Sequence, residues 1–268
     1  MTELSNGGPS DLRSAAPAPL PPPEAEGRVD FEGARIWYAT FGSGPPVIFL
    51  HGAFEHSGDW GNQVPAMLEA GRRVVLIDSR GRGRSTRGAL AFTYELMARE
   101  VLAVMDALGI DSASVVGWSD GAIIGLILAM DHPARVERVF AFGGNMDLNG
   151  VKPEPTPTAA LGQAFDRAVK DYARLSDTPG EFKVMADEVN RMMQTQPNYD
   201  AGDLARIRRP VAIAHAEHDE FIKLDHAEYL ARTIPDARLV ALPGVSHFAL
   251  WQKPDEFNDT IRTFLQSD

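Results

Sequence analysis

One serine in this chain sits where a serine can be made reactive. Ser119 occupies Gly117-Trp118-Ser119-Asp120-Gly121, with Ala122 next. An apolar, strand-like run ending in Val115-Val116 precedes it. An apolar run of helix length, Ala122 to Met130, follows. A Gly-x-Ser-x-Gly between a buried strand and a buried helix predicts a very tight turn. Such a turn forces its central residue to positive φ. Side chains two positions before and after would collide, which requires Gly117 and Gly121. The turn pushes the Ser119 hydroxyl out of the backbone. It also aims the Asp120 N–H at the same spot, at a helix start where developing negative charge is favoured. The chemistry this predicts is nucleophilic attack on an acyl carbon.

A serine hydroxyl needs a neighbouring base to take its proton. The base is expected to be a histidine, oriented by an acid. His247 stands in Pro243-Gly244-Val245-Ser246-His247, just past a predicted strand. Asp219 stands just past the strand before that one, flanked by Glu217 and Glu220. Asp147, after the strand that precedes a long insertion, is a second position for the acid. Strand-end placement and chain order favour Asp219. His51 reads as shaping its turn and His132 as a surface histidine, and His218 adjoins the acid in the wrong chain order to be the base. A tetrahedral intermediate needs two amide donors, each worth ~3 kcal/mol. Asp120 supplies one. Ala53, in His51-Gly52-Ala53-Phe54, is expected to supply the other, with Phe54 next in line. Phe54, Trp118, Met146 and Phe248 are candidates to line an apolar acyl pocket.

The elements that must position these groups are legible in the pattern. Short apolar strands are expected at 46–50, 73–78, 111–116, 136–142, 210–215 and 238–242, after a hairpin turning at Glu32-Gly33. Helices are expected at 60–71, 94–108, 122–132, 224–233 and 254–265. The alternation predicts an α/β fold: a mostly parallel, eight-stranded doubly wound sheet. It breaks between 146 and 208, where 159–175 and 180–195 read as amphipathic helices among prolines. This segment is expected to form a small helical cap, or lid, after the sixth strand. The core is then 28–145 and 209–268. Residues 1–27, rich in Pro and Ala, read as a disordered tail.

Composition bounds the function classes. The 268 residues suit one mid-sized domain with an insertion. There is no cysteine, so disulfides, thiolate catalysis and cysteine zinc sites are excluded. That fits a cytoplasmic, reducing setting. A net charge of −11 argues against nucleic acid or an anionic membrane as partner. No apolar run approaches the ~20 residues of a membrane span. No secretion signal is legible at the N-terminus.

With these residues the chain resembles the α/β-hydrolase superfamily across roughly 28–268. The resemblance rests on His51–Phe54, Gly117–Gly121, Asp219 and His247, and on Asp78-Ser-Arg-Gly-Arg-Gly-Arg-Ser85, which matches a structural turn of that superfamily. Gly-Trp-Ser-Asp-Gly and the context Asp59-Trp-Gly-Asn-Gln look like the valacyclovir hydrolase, or biphenyl hydrolase-like, group. That resemblance implies cleavage of α-amino-acid esters, with Asp120 reading the substrate's ammonium. Ala122 departs from the group, which usually has a third glycine there.

The leading expectation is a serine hydrolase of carboxylic esters, with no cofactor and no metal, acting on a small-molecule substrate. Lactones, amides and thioesters fit the same residues. So do carbon–carbon bond hydrolysis and perhydrolysis. A serine at the elbow argues against the haloalkane and epoxide chemistry that uses a carboxylate nucleophile. The second expectation is a hydrolase-fold receptor that binds a small molecule and signals through its lid.

Overall fold

The computed structural model describes residues 16–266. Eight strands form one sheet: β1 Ala25–Phe31, β2 Ala34–Phe41, β3 Pro46–Leu50, β4 Arg73–Ile77, β5 Ala113–Trp118, β6 Val136–Phe142, β7 Val211–Ala216 and β8 Ala237–Leu242. Their order across the sheet is β1-β2-β4-β3-β5-β6-β7-β8. β1, β2 and β4 pair antiparallel, and every later pair is parallel. The β1–β2 hairpin turns through Glu32 and Gly33 at φ 43° and 77°, as a two-residue turn matched to strand twist requires. From β3 the chain goes to β4 on one side and β5 on the other. This reversal opens a crevice at the carboxyl ends of β3 and β5, the place where open α/β sheets bind ligands.

The helices are α1 Gln63–Glu69, α2 Tyr94–Ala107, α3 Asp120–Asp131, α4 Ala159–Leu175, α5 Phe182–Thr195, α6 Ala201–Leu204, α7 Leu224–Thr233, α8 Ala249–Gln252 and α9 Pro254–Gln266. β5 and β7 are buried along their whole length, which is why they read as continuous apolar runs. Successive residues still serve opposite faces. Val115 packs in the layer with α2, α3 and α7, whereas Val116 packs in the layer with α1 and α9.

Three expectations shift. The helix expected over 60–71 is a 3-10 turn at Ser57–Trp60 followed by α1. Gly61 and Asn62 form a turn between them, and the chain near residue 18 rests there. A methyl group at Gly61 would lie 1.6 Å from the Ala18 carbonyl oxygen, and the Ala18 N–H donates to Asn62 Oδ1 at 3.2 Å. The last part of the stretch expected as a tail over 1–27 is instead attached to the body. Residues from about 18 lie against the body, Glu24 already donates to the Thr40 carbonyl, and β1 begins at Ala25. Residues 1–15 of that tail lie outside the described residues. Third, α8, just after His247, was not foreseen.

Between β6 and β7 stand α4, α5 and α6. α4 buries Ala160, Ala164, Ala168 and Tyr172, spaced by four, and α5 buries Met185, Val189 and Met192. No helix among the described residues is long and apolar enough to cross a membrane.

Candidate active site

Ser119 stands at the end of β5 with φ 55° and ψ −119°, a region costing about 1–3 kcal/mol for a non-glycine residue. Its N–H donates to the Phe142 carbonyl at 2.8 Å, and its carbonyl accepts from Ala122 at 2.9 Å. These bonds hold the strained turn. The flanking glycines are required by contact. A methyl group at Gly117 would lie 2.2 Å from the Gly121 carbonyl oxygen, and one at Gly121 2.1 Å from that of Leu50. A methyl group at Gly144 would lie 2.7 Å from Ala122 Cβ, so the small residue after Gly121 also lets the backbone pass closely.

His247 reaches the same place from the loop after β8. Its Nδ1 lies 2.8 Å from Asp219 Oδ2. The other oxygen of Asp219 accepts the N–H groups of Phe221 and Ile222, at 2.9 and 2.8 Å. Burial alone would raise Asp219, but His247 and these two amides hold it below the ordinary carboxylate range. Burial also disfavours charge on His247. Asp219, Glu220 and Glu55 outweigh it and lift the imidazole above its ordinary value. The ring is walled by Trp118, Phe142, Phe221 and Phe248, with centroids 4.9–6.0 Å away. Gly143, at φ 63°, leaves room for it: a methyl group there would lie 2.7 Å from His247 Cε1. Asp147, the other candidate acid, faces His226 instead, 3.8 Å from its Nδ1.

Ser119 and His247 both line one cavity of about 190 Å³. Of the other expected site residues, Ala53, Phe54, Trp118, Asp120 and Phe248 line it as well. Asp120 opens α3, so its N–H is among the free amides of a helix start. Its carboxyl is buried and takes a hydrogen bond from the Tyr94 hydroxyl at 2.8 Å. Burial raises Asp120 above the ordinary carboxylate range, opposed by Arg82 and by that hydroxyl. Asp120 Oδ2 is buried with no partner among the described residues.

Met146 is the exception. It is fully buried in the core, with its N–H donating to His226 Nε2, and its neighbour Asn145 lines the cavity instead. After β6 ends at Phe142 the chain bends, and it is Asn145, one residue earlier, that faces the cavity.

Sequence reasoning missed three groups. Glu55, Tyr94 and Gln196 all line the cavity. Glu220, which flanks Asp219 in the sequence, is fully buried. It accepts the His247 N–H and the Thr158 hydroxyl, at 2.8 and 2.6 Å, joining the histidine loop to the start of α4. For Glu55 the sequence holds no signal: it reads as a loop acid, and only the structure shows that its loop lines the cavity.

The sequence pattern of the alpha/beta hydrolase fold family matches residues 45–179, half of the chain. The chain belongs to that family. Among similar proteins is a 2-hydroxy-6-oxo-6-phenylhexa-2,4-dienoate hydrolase of Comamonas testosteroni, 29% identical over 99% of each chain. Another is the human serine hydrolase BPHL, 27% identical over 89% of this chain and 86% of that one, in keeping with the resemblance drawn from Gly117–Gly121. A solved structure described as Est816, an N-acyl homoserine lactone degrading enzyme, superposes with a TM-score of 0.72. It is 28% identical and covers 88% of this chain and 99% of its own. This α/β hydrolase is thus a hydrolytic enzyme.

Proposed function

We propose that this α/β hydrolase cleaves a small carboxylic ester, lactones included, through an acyl-enzyme on Ser119. Ser119 Oγ attacks the acyl carbon while its proton passes to His247. Asp219 holds the imidazole and its transient charge. The Ala53 and Asp120 amides receive the oxyanion. Collapse of the intermediate expels the alcohol oxygen, which takes the proton from His247. Water then repeats the cycle on the acyl-enzyme, giving the acid and restoring the serine. The helices of 146–208 act as the lid over this site: Leu161, Ala164 and Phe165 of α4 roof the cavity.

The observation that carries the reading is the 2.8 Å pairing of His247 with Asp219 on the wall of a cavity that Ser119 also lines. One atom favours a narrower substrate class. Asp120 Oδ2, buried and unpaired on the cavity wall, suits the ammonium of an α-amino-acid ester. A fluorophosphonate is expected to label wild type at Ser119 and leave Ser119→Ala unlabelled. A panel of aryl esters, aminoacyl esters, lactones and vinylogous diketones should then be turned over by wild type alone. Equal turnover by Ser119→Ala would end the proposal.

A further inference from the structure

The acylation scheme leaves a carboxyl of the cavity, Glu55, without a role. Glu55 follows Phe54 and stands half-buried on the cavity wall. Its Oε2 accepts the Phe54 N–H at 3.0 Å. A methyl group at Gly52 would lie 2.8 Å from that same oxygen and 3.3 Å from Ser119 Cβ. The carboxyl and Ser119 therefore both flank Gly52, at the start of the loop that carries the Ala53 and Phe54 amides. We propose that Glu55 is a further catalytic residue, which in its neutral form donates a hydrogen bond to the oxygen that becomes negative when Ser119 attacks.

This rests on Ser119 being the nucleophile. An ionised Glu55 holds the Phe54 amide and sets a negative charge beside the site of the oxyanion, which opposes attack. A neutral Glu55 has an O–H to offer there. The proton stays on Glu55 throughout, so the bonds made and broken remain those of acylation.

The surroundings favour the neutral form. Burial, then the charge of Asp59, push Glu55 up to about 7, against the Phe54 N–H and His247. Asp59 faces it from the 57–60 turn and His247 from the loop after β8. Beyond His247 lie Asp219 and Glu220, and Asp120 faces that ring from α3. α4 brings only the apolar Leu161, Ala164 and Phe165 to the cavity.

The sign of the pH dependence follows. The base works once His247 has lost its proton, so the rate rises with pH through that titration. The donor works while Glu55 keeps its proton, so the rate falls as pH passes about 7. The two groups interact, and both limbs of the resulting bell belong to the pair. Glu55→Gln offers an N–H donor with no charge to gain. It should abolish the alkaline limb. It should also move the acid limb to lower pH, because one of the charges raising His247 is gone.

The test is the second-order rate of fluorophosphonate labelling of Ser119 from pH 5 to 9. It compares wild type, Glu55→Gln and Glu55→Leu and needs no natural substrate. Wild type should fall roughly tenfold per pH unit on the alkaline side. At pH 9 Glu55→Gln should label at least ~10-fold faster than wild type. Glu55→Leu, lacking a donor, should be ~10²-fold slower than Glu55→Gln throughout. A Gln profile that overlays wild type, or Leu labelling as fast as Gln, overturns the proposal. Should the variants unfold, carbon NMR titration of the Glu55 carboxyl in intact wild type decides. A proton retained above pH 6 supports the role, and a carboxyl already ionised at pH 5 ends it. Absence of labelling in wild type at every pH would instead remove the nucleophile, and this proposal with it.

Discussion

The cavity has two walls built on different physics. The sheet wall carries Ser119, Ala53 and His247 at the ends of β5, β3 and β8. There each group is fixed by buried contacts: glycines pressed on carbonyl oxygens at 2.1–2.2 Å from an added methyl, and four aromatic rings around the imidazole. The other wall is α4 and α5. Its Phe165 is 49% exposed, and much of its attachment is ionic, exposed to solvent except at His56 and Asp171. Arg35 holds Asp177 at 3.0 Å, Arg87 holds Glu181 at 2.8 Å and Glu188 at 3.2 Å, and His56 lies 3.4 Å from Asp171. The sheet wall is dry, tightly packed backbone, whereas the exposed ion pairs of the other wall are ones that water and salt can loosen.

That contrast is sharpest where one atom on the sheet wall is changed. Asp219→Asn keeps the shape but removes the charge that the imidazole develops against and offers Nδ1 a partner that favours the wrong tautomer. kcat on a responsive ester should fall by about four orders of magnitude, with the unfolding midpoint little moved. A pair of glycine substitutions divides the two walls next. Gly121→Val must push against Leu50 and should cost about 3 kcal/mol. Gly162→Ala on exposed α4 meets nothing within 4 Å and should gain up to about 1 kcal/mol from helix propensity. Urea unfolding of the two variants should move in opposite directions. Equal losses would mean that α4 is packed as tightly as the elbow.

The same division explains what the sequence made legible. The elbow could be read because a backbone forced into close approach must be spelled in glycine, and Gly117, Gly121 and Ser119 at φ 55° are one constraint written three times. The pairing of Asp219 with His247 could be read because strand ends recur in a fixed chain order. α4 and α7 fell where their apolar spacing placed them. What failed depended on phase or on distant neighbours. Met146 and Asn145 differ by one position, and the pattern holds no marker for which of them turns inward. The need for a glycine at position 61 depends on Ala18, more than forty residues away. Glu55 and Glu220 look like solvated loop acids in sequence. Only the burial of their loops makes one a cavity group and the other a link between the histidine loop and α4.

The smallest effect tests the cap wall by itself. Arg87 is about a quarter exposed in its side chain, Glu188 about as much and Glu181 more, at 43%. Each such pair is worth no more than about 1 kcal/mol, and screening weakens it further. Arg87→Gln breaks both contacts to α5 at once, so global stability should drop by less than about 1 kcal/mol. If these pairs hold the cap closed, KM for an aryl ester should change by a few-fold while kcat for acylation stays put, because no group on the sheet wall has moved. Raising salt to 0.5 M should shift wild-type KM the same way and leave the variant less responsive. Asp219→Asn, whose defect lies in a dry site, should show no salt effect beyond that of wild type. A kcat loss in Arg87→Gln as large as its change in KM would mean that the two walls are one mechanical unit, with the cap helping to place the imidazole through Thr158 and Glu220.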